Sequence, residues 1–247
     1  MKADPAAQRL LLDIQQLDQR ADQLRHRRNN LPEIHRIAEL EERRHGLDNQ
    51  RRDAQISVDD LSVEQKRADA DVEQVKARRE RDRQRMDAGL ITSPKDLERM
   101  THELASLERR ISSLEDSELE VMEQLEEAQS ALDRLTGEVA AIDEEVAGLR
   151  ETVAARQREI DDELAQVVAE REPAATGLPD DLVALYDRLR ATKNGVGAAL
   201  LRARQCGGCQ LTVDNAELAV IGRAPADEVI RCEECQRILV RTAESGL

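Results

Sequence analysis

Cys206-Gly-Gly-Cys209 and Cys232-Glu-Glu-Cys235 hold all four cysteines of a 247-residue chain, with 22 residues between the pairs. Two CxxC steps at that distance form the ligand pattern of a zinc site. Each pair sets two thiolates on one tight turn, and two such turns surround a tetrahedral ion with four soft sulfurs. Gly207 and Gly208 leave the first turn free to bend. The amides of such turns point at the sulfurs and favour the thiolate. Four protein ligands close the coordination shell, whereas a catalytic zinc keeps a position open. One structural zinc per chain is therefore expected, contributing about 10–16 kcal/mol of folding free energy in a domain this small. A redox role would need one CxxC opening a helix after a buried strand, and neither pair has that setting.

No other constellation suggests chemistry. His26, His35, His45 and His102 all fall in heptad-patterned segments, without HExxH spacing or convergent carboxylates. No acid, base and nucleophile come together, so neither an enzyme nor a small-molecule substrate is expected. Arg202 and Arg204 are two apart and share a face if that segment is a strand. With Arg223, Arg231, Arg237 and Arg241 they form the candidate surface for a partner or for nucleic acid. Against nucleic acid, residues 198–242 carry 6 basic and 6 acidic side chains and no aromatic to stack a base. Protein contact is the favoured reading of that surface, and DNA or RNA contact is the alternative.

The elements that carry these residues are long helices. The chain has one Tyr (Tyr186), no Phe and no Trp, and 36% of its residues are charged, which fits a narrow apolar seam rather than one globular core. From Leu97 to Val167, alternating steps of three and four give positions that are apolar except at Glu118, Arg156 and Glu163. A 3.5-residue period held that long is a coiled-coil seam. The first arm is less regular. Leu10, Ile14, Leu17, Ala21, Leu24 and Leu31 keep one register, and Ile37, Leu40 and Leu47 begin another, with Arg44, Arg51 and Gln65 at polar seam positions. The register change predicts a kink near residues 30–32, at Pro32.

Gly89 and then Ser93-Pro94-Lys95-Asp96 read as a helix stop followed by a helix start, with the tip at about 88–94. A connection that short favours antiparallel neighbours over the alternative, a parallel homodimer running through both segments. Charge agrees: residues 1–94 hold 19 basic and 19 acidic residues, while residues 95–172 hold 9 and 23. The Arg78–Arg85 run near the tip reads as a solvated helix end pairing with the acidic arm.

The expected fold is mainly α, a long antiparallel coiled-coil hairpin over 1–172 with a small C-terminal β zinc ribbon over 197–247. A linker and short helix over 173–196 join them, with Leu182, Leu185 and Leu189 on one helix face. Val196–Arg204 reads as a strand, and Asp214 with Glu217 as a capping box for a helical turn ending near Gly222. No apolar run is long enough to span a membrane. The first 19 residues lack a basic head and apolar run, so a cytoplasmic chain is expected.

Three places in this sequence resemble the bacterial C4-type zinc-ribbon proteins that have an N-terminal coiled-coil hairpin. They are Ser93-Pro-Lys-Asp-Leu-Glu-Arg-Met-Thr-His-Glu-Leu-Ala-Ser-Leu107, Leu185-Tyr-Asp-Arg-Leu189, and the two cysteine pairs with Arg231 and Gln236-Arg-Ile-Leu239. The resemblance covers essentially the whole chain and implies a zinc-binding adaptor with protein partners. Members often have Gly after the fourth cysteine. Gln236 stands there in this chain, so an altered turn is expected at the second knuckle.

Overall fold

The computed structural model describes residues 1–247. Its helices are α1 (Pro5–Asn29), α2 (Pro32–Asp87), α3 (Pro94–Ala175), α4 (Asp180–Thr192) and α5 (Asn215–Arg223). The strands are β1 (Ala198–Arg202), β2 (Gln205–Cys206), β3 (Ile230–Arg231) and β4 (Ile238–Val240). The fold is mainly α, a long helical hairpin with a small C-terminal zinc ribbon. Two compact units divide it, Met1–His35 with Arg150–Leu247, and Arg36–Leu149.

In the second unit α2 and α3 run antiparallel. Lys76 reaches Glu115 (2.8 Å), Arg79 reaches Glu108 (3.0 Å) and Arg36 reaches Glu145 (3.1 Å), the α3 partner rising in number as the α2 residue falls. Arg44 reaches Asp143 from its seam position. The apolar seam is buried where Leu40 packs with Ile142 and Val146. At the tip, Gly89 takes φ 71° and closes α2 through its amide to the Met86 carbonyl. A positive φ of this kind is what Gly tolerates without a Cβ penalty. In the Arg-rich run, Arg78 and Arg79 pair across to α3, while Arg83 and Arg85 pair within α2.

The first unit is built differently from a plain coiled coil. α1 stops at Asn30, whose amide caps it on the His26 carbonyl, and Pro32 opens α2. Ala21, Leu24 and Leu31 continue the seam against Ile160 and Val167. Toward its N-terminus, however, α1 turns a new face inward. Ala3, Ala7, Leu11 and Ile14 pack against Leu182, Tyr186, Ala198, Ile238 and Val240. Leu10, expected in the seam, is 39% exposed, while Leu11 is fully buried. The reason is the neighbour: these turns cover the ribbon sheet and α4.

The linker expected to open the 173–196 stretch is short. α3 continues through Pro173 to Ala175, and the turn is confined to the next four residues, with Gly177 at φ 90°. A proline in the last helical turn removes only one ladder bond, and the turn that follows is closed by the Thr176 amide on the Pro173 carbonyl and the Leu178 amide on the Ala175 carbonyl.

The sheet order is β2-β1-β4-β3, with β1 and β4 parallel and both outer pairs antiparallel. Strand alternation divides its two faces. Ala198, Ile238 and Val240 point to α1 and α4, whereas Ala199, Leu201 and Leu239 point to the cysteines and α5. No helix is long and apolar enough to cross a membrane.

Candidate metal centre

Cys206 ends β2 and Cys232 follows β3, so the sheet delivers the first ligand of each pair and a tight turn delivers the second. The two knuckles share one design. Gln210 donates its amide to the Cys206 carbonyl (2.7 Å), and Gln236 donates its own to the Cys232 carbonyl (2.8 Å). Both glutamines take left-handed backbone, φ 60° and φ 64°. The turn expected to change at Gln236 is therefore retained without glycine. Gln236 supports it by donating from its side-chain amide to the Glu233 carbonyl (2.9 Å).

The four sulfurs lie within 4.8 Å of one another. Cys206 Sγ is 3.8 Å from Cys235 Sγ, and Cys209 Sγ is 3.9 Å from Cys232 Sγ. A tetrahedron with Zn–S bonds near 2.3 Å has an edge of about 3.8 Å, whereas a disulfide needs about 2.05 Å. The donor set, its geometry and its burial therefore fit zinc.

Electrostatics explain why a cation belongs there. Burial pushes the Cys206 thiol up to about 12, against the amides of Cys209 and Gly208 that favour its thiolate. Burial also raises Cys232, opposed by the amides of Cys235 and Glu234. At Cys235 burial works in the same direction, but the Arg237 amide and guanidinium and the neighbouring thiols outweigh it and hold the group at about 7. Four thiolates in so small a volume need a cation to balance them.

Gly208 makes room for this packing. A Cβ there would lie 2.6 Å from Arg237 Cδ and 3.1 Å from Ala199 Cβ. On the other side, Asp214 caps α5 by accepting from the Ala216 amide. The expected capping box does not close, because Glu217 turns away to accept from the Glu233 amide (3.3 Å). Its carboxylate thus ties α5 to the second knuckle.

The six ribbon arginines do not form one surface. Arg237 donates to the carbonyls of Val196 (3.0 Å) and Lys193 (2.7 Å). Arg241 donates to five carbonyls, those of Ile221, Ala224, Pro225, Ala226 and Glu228. Both guanidiniums hold loops together. Arg202, Arg204, Arg223 and Arg231 are exposed. Of these, Arg202 pairs with Glu244 (3.1 Å), Arg204 with Asn215, and Arg231 with the Gln236 carbonyl (3.0 Å).

The support for the ribbon that sequence patterning missed comes from the N-terminus. Ala3 donates to the Asp227 carbonyl (2.8 Å) and Val229 to the Met1 carbonyl (3.1 Å), adding an edge beside β3. Buried Gln15 donates to the Gly195 carbonyl (2.8 Å) and accepts from the Gly197 amide (2.8 Å). Asp18, 5% exposed, accepts from Tyr186 Oη (2.8 Å) and pairs with Arg171 (2.7 Å) and Arg190 (3.4 Å). Burial and then the Asp18 hydrogen bond push the tyrosine hydroxyl far above its ordinary value. The available signal was polar residues, Gln8, Gln15 and Asp18, on the otherwise apolar side of a helix.

Known proteins share this arrangement. The family described as the CT398-like coiled coil hairpin domain matches residues 14–194, and the C4-type zinc ribbon domain matches residues 205–239. The Mycobacterium tuberculosis protein Rv2229c is 34% identical over 248 residues, covering 98% of each chain. A solved Mycobacterium smegmatis structure is similar at TM-score 0.85 and 32% identity, covering 98% of this chain and 100% of that one. CT398 from Chlamydia trachomatis has TM-score 0.69 at 17% identity, covering 95% and 97%, a likeness of fold alone.

Proposed function

As this chain belongs to the CT398-like coiled-coil hairpin family with a C4-type zinc ribbon, we propose that it is a non-enzymatic cytoplasmic adaptor. It acts by protein–protein contacts of the hairpin and the ribbon. One zinc per chain serves as a closed clamp. The observation that carries this reading is the sulfur cluster: four thiolates within 4.8 Å fill a tetrahedral shell and leave no position for a substrate. Function then falls to the surfaces that the clamp and the seam hold in place.

In-cell photo-crosslinking from exposed positions on the hairpin and ribbon tests it. Crosslinks to a defined protein partner, reduced when Cys232→Ser disorders the ribbon or when hairpin faces are altered, support the reading. An absence of protein crosslinks from both regions overturns it.

A second reading rests on the exposed Arg202, Arg204, Arg223 and Arg231, which suit phosphate contact by the ribbon. Nucleic-acid affinity would then fall steeply with salt, and Arg202→Ala with Arg204→Ala would weaken it. No binding of DNA or RNA at low salt eliminates it.

A further inference from the structure

Between Ile111 and Leu132 the hairpin seam is half open. Both of those residues are buried, yet Leu114, Glu118, Val121, Leu125 and Ala128 between them are not. One residue past the seam on α3 stand Leu119, 56% exposed, and Met122, 43% exposed. Their spacing of three sets them side by side on one helix face. They border a groove whose lining includes Ser62 and Gln65 from α2 and Glu123 and Glu126 from α3.

Charge separates this stretch from the rest of the hairpin. Between Arg110 and Arg134, α3 carries 8 carboxylates and no Lys or Arg. Outside it, acids of α3 cross to bases on α2, at Glu103–Arg78, Glu108–Arg79 and Asp143–Arg44. Inside it, Glu115 reaches Lys76, but Glu120, Glu123, Glu126 and Glu127 make no cross-helix ion pair. Arg67 of α2 borders the seam at Leu114 and Val121, but no base pairs with those four glutamates, so the two apolar side chains lie exposed beside an acidic row.

We infer that this groove, lined by Leu119, Met122, Glu123 and Glu126, docks a basic amphipathic helix of a partner protein. The inference rests on the adaptor reading and names one of its surfaces. Apolar anchors three and four apart on the partner would cover Leu119 and Met122, and flanking Lys or Arg would meet the glutamates, the usual helix-in-groove arrangement. Methionine's unbranched thioether adapts to varied side chains. The sign of the field disfavours nucleic acid. A second copy is disfavoured too, because a two-fold contact would set the same acidic row against itself.

The test uses the full zinc-loaded chain. The probe is a fluorescent synthetic peptide of leucine and lysine at helical spacing, compared with a scrambled peptide of the same composition. Leu119→Ser with Met122→Ser should weaken binding about tenfold or more, as loss of two apolar anchors implies. Glu123→Gln with Glu126→Gln should weaken it and flatten its salt dependence. The second pair changes no apolar contact and decides the matter if the first lowers helicity.

Equal affinity for the scrambled peptide, or parent-like binding by both variants, overturns the inference. So does a dimer of the parent chain that Leu119→Ser with Met122→Ser dissociates. Partner crosslinking that survives both variants also overturns the groove, while leaving the adaptor reading intact.

Discussion

At the scale of residues, the metal centre joins local spacing to distant support. Cys206 and Cys232 hold their protons when the metal is absent, since burial raises both thiols. Zinc binding must release those protons. Acidification opposes binding, and affinity should fall about tenfold per pH unit for each proton released. Competition with a chelator between neutral and mildly acidic pH checks the slope, and a flat profile would exclude thiolate ligation. Gly208→Ala should destabilise the ribbon by about 1–3 kcal/mol, as overpacking does, because its Cβ meets Arg237 and Ala199. Gly137→Ala, which meets nothing within 4 Å on α3, should instead stabilise by about 1 kcal/mol. Thermal melts of both variants give opposite signs. The four ligands were legible because a CxxC turn is local. The roles of Arg237 and Arg241 were not, because their partners are backbone carbonyls brought near only by folding. A sequence shows such arginines as charge alone.

At the scale of elements, the ribbon depends on α1. The seam of α3 could be read from its period, and its buried residues, among them Leu135, Val139 and Ile160, fall on that seam. The N-terminal turns of α1 could not be read the same way. Their heptad pattern fits a coiled coil, yet the competing neighbour is a sheet whose Ala198, Ile238 and Val240 need cover. Asp18→Ala should expose the cost of that arrangement. It removes the short acceptor of the Tyr186 hydroxyl, which is left with Gln15 at 3.4 Å, and one partner each from Arg171 and Arg190, which keep Asp187 and Asp22. Loss of the buried hydrogen bond dominates and costs about 1–3 kcal/mol, and chemical denaturation measures it. The exposed cross-helix pairs differ: solvent screens Arg44 and Asp143, so Arg44→Ala should leave the unfolding midpoint nearly unchanged.

At the scale of the whole molecule, the two units have different sources of stability. The Arg36–Leu149 unit rests on an apolar seam and charge-matched antiparallel helices. The unit of Met1–His35 with Arg150–Leu247 rests on a sheet packed between helices on one face and cysteines on the other. Chelation should therefore lower one unfolding transition and leave the helical signal of the other, as calorimetry with circular dichroism would show. Antiparallel architecture was legible from the Gly-to-Pro interruption and from the acidity of the second arm. The allotment of residues 1–35 to the ribbon's unit was not, because it depends on contacts across more than 200 positions, such as Ala3 with Asp227. If four cysteines close a structural zinc site on which the ribbon depends, native mass spectrometry of the full chain should find one zinc ion on the parent and none on Cys232→Ser, with loss of the ribbon's unfolding transition. A ribbon that folds in the parent chain without zinc, or full zinc retained by Cys232→Ser, overturns it.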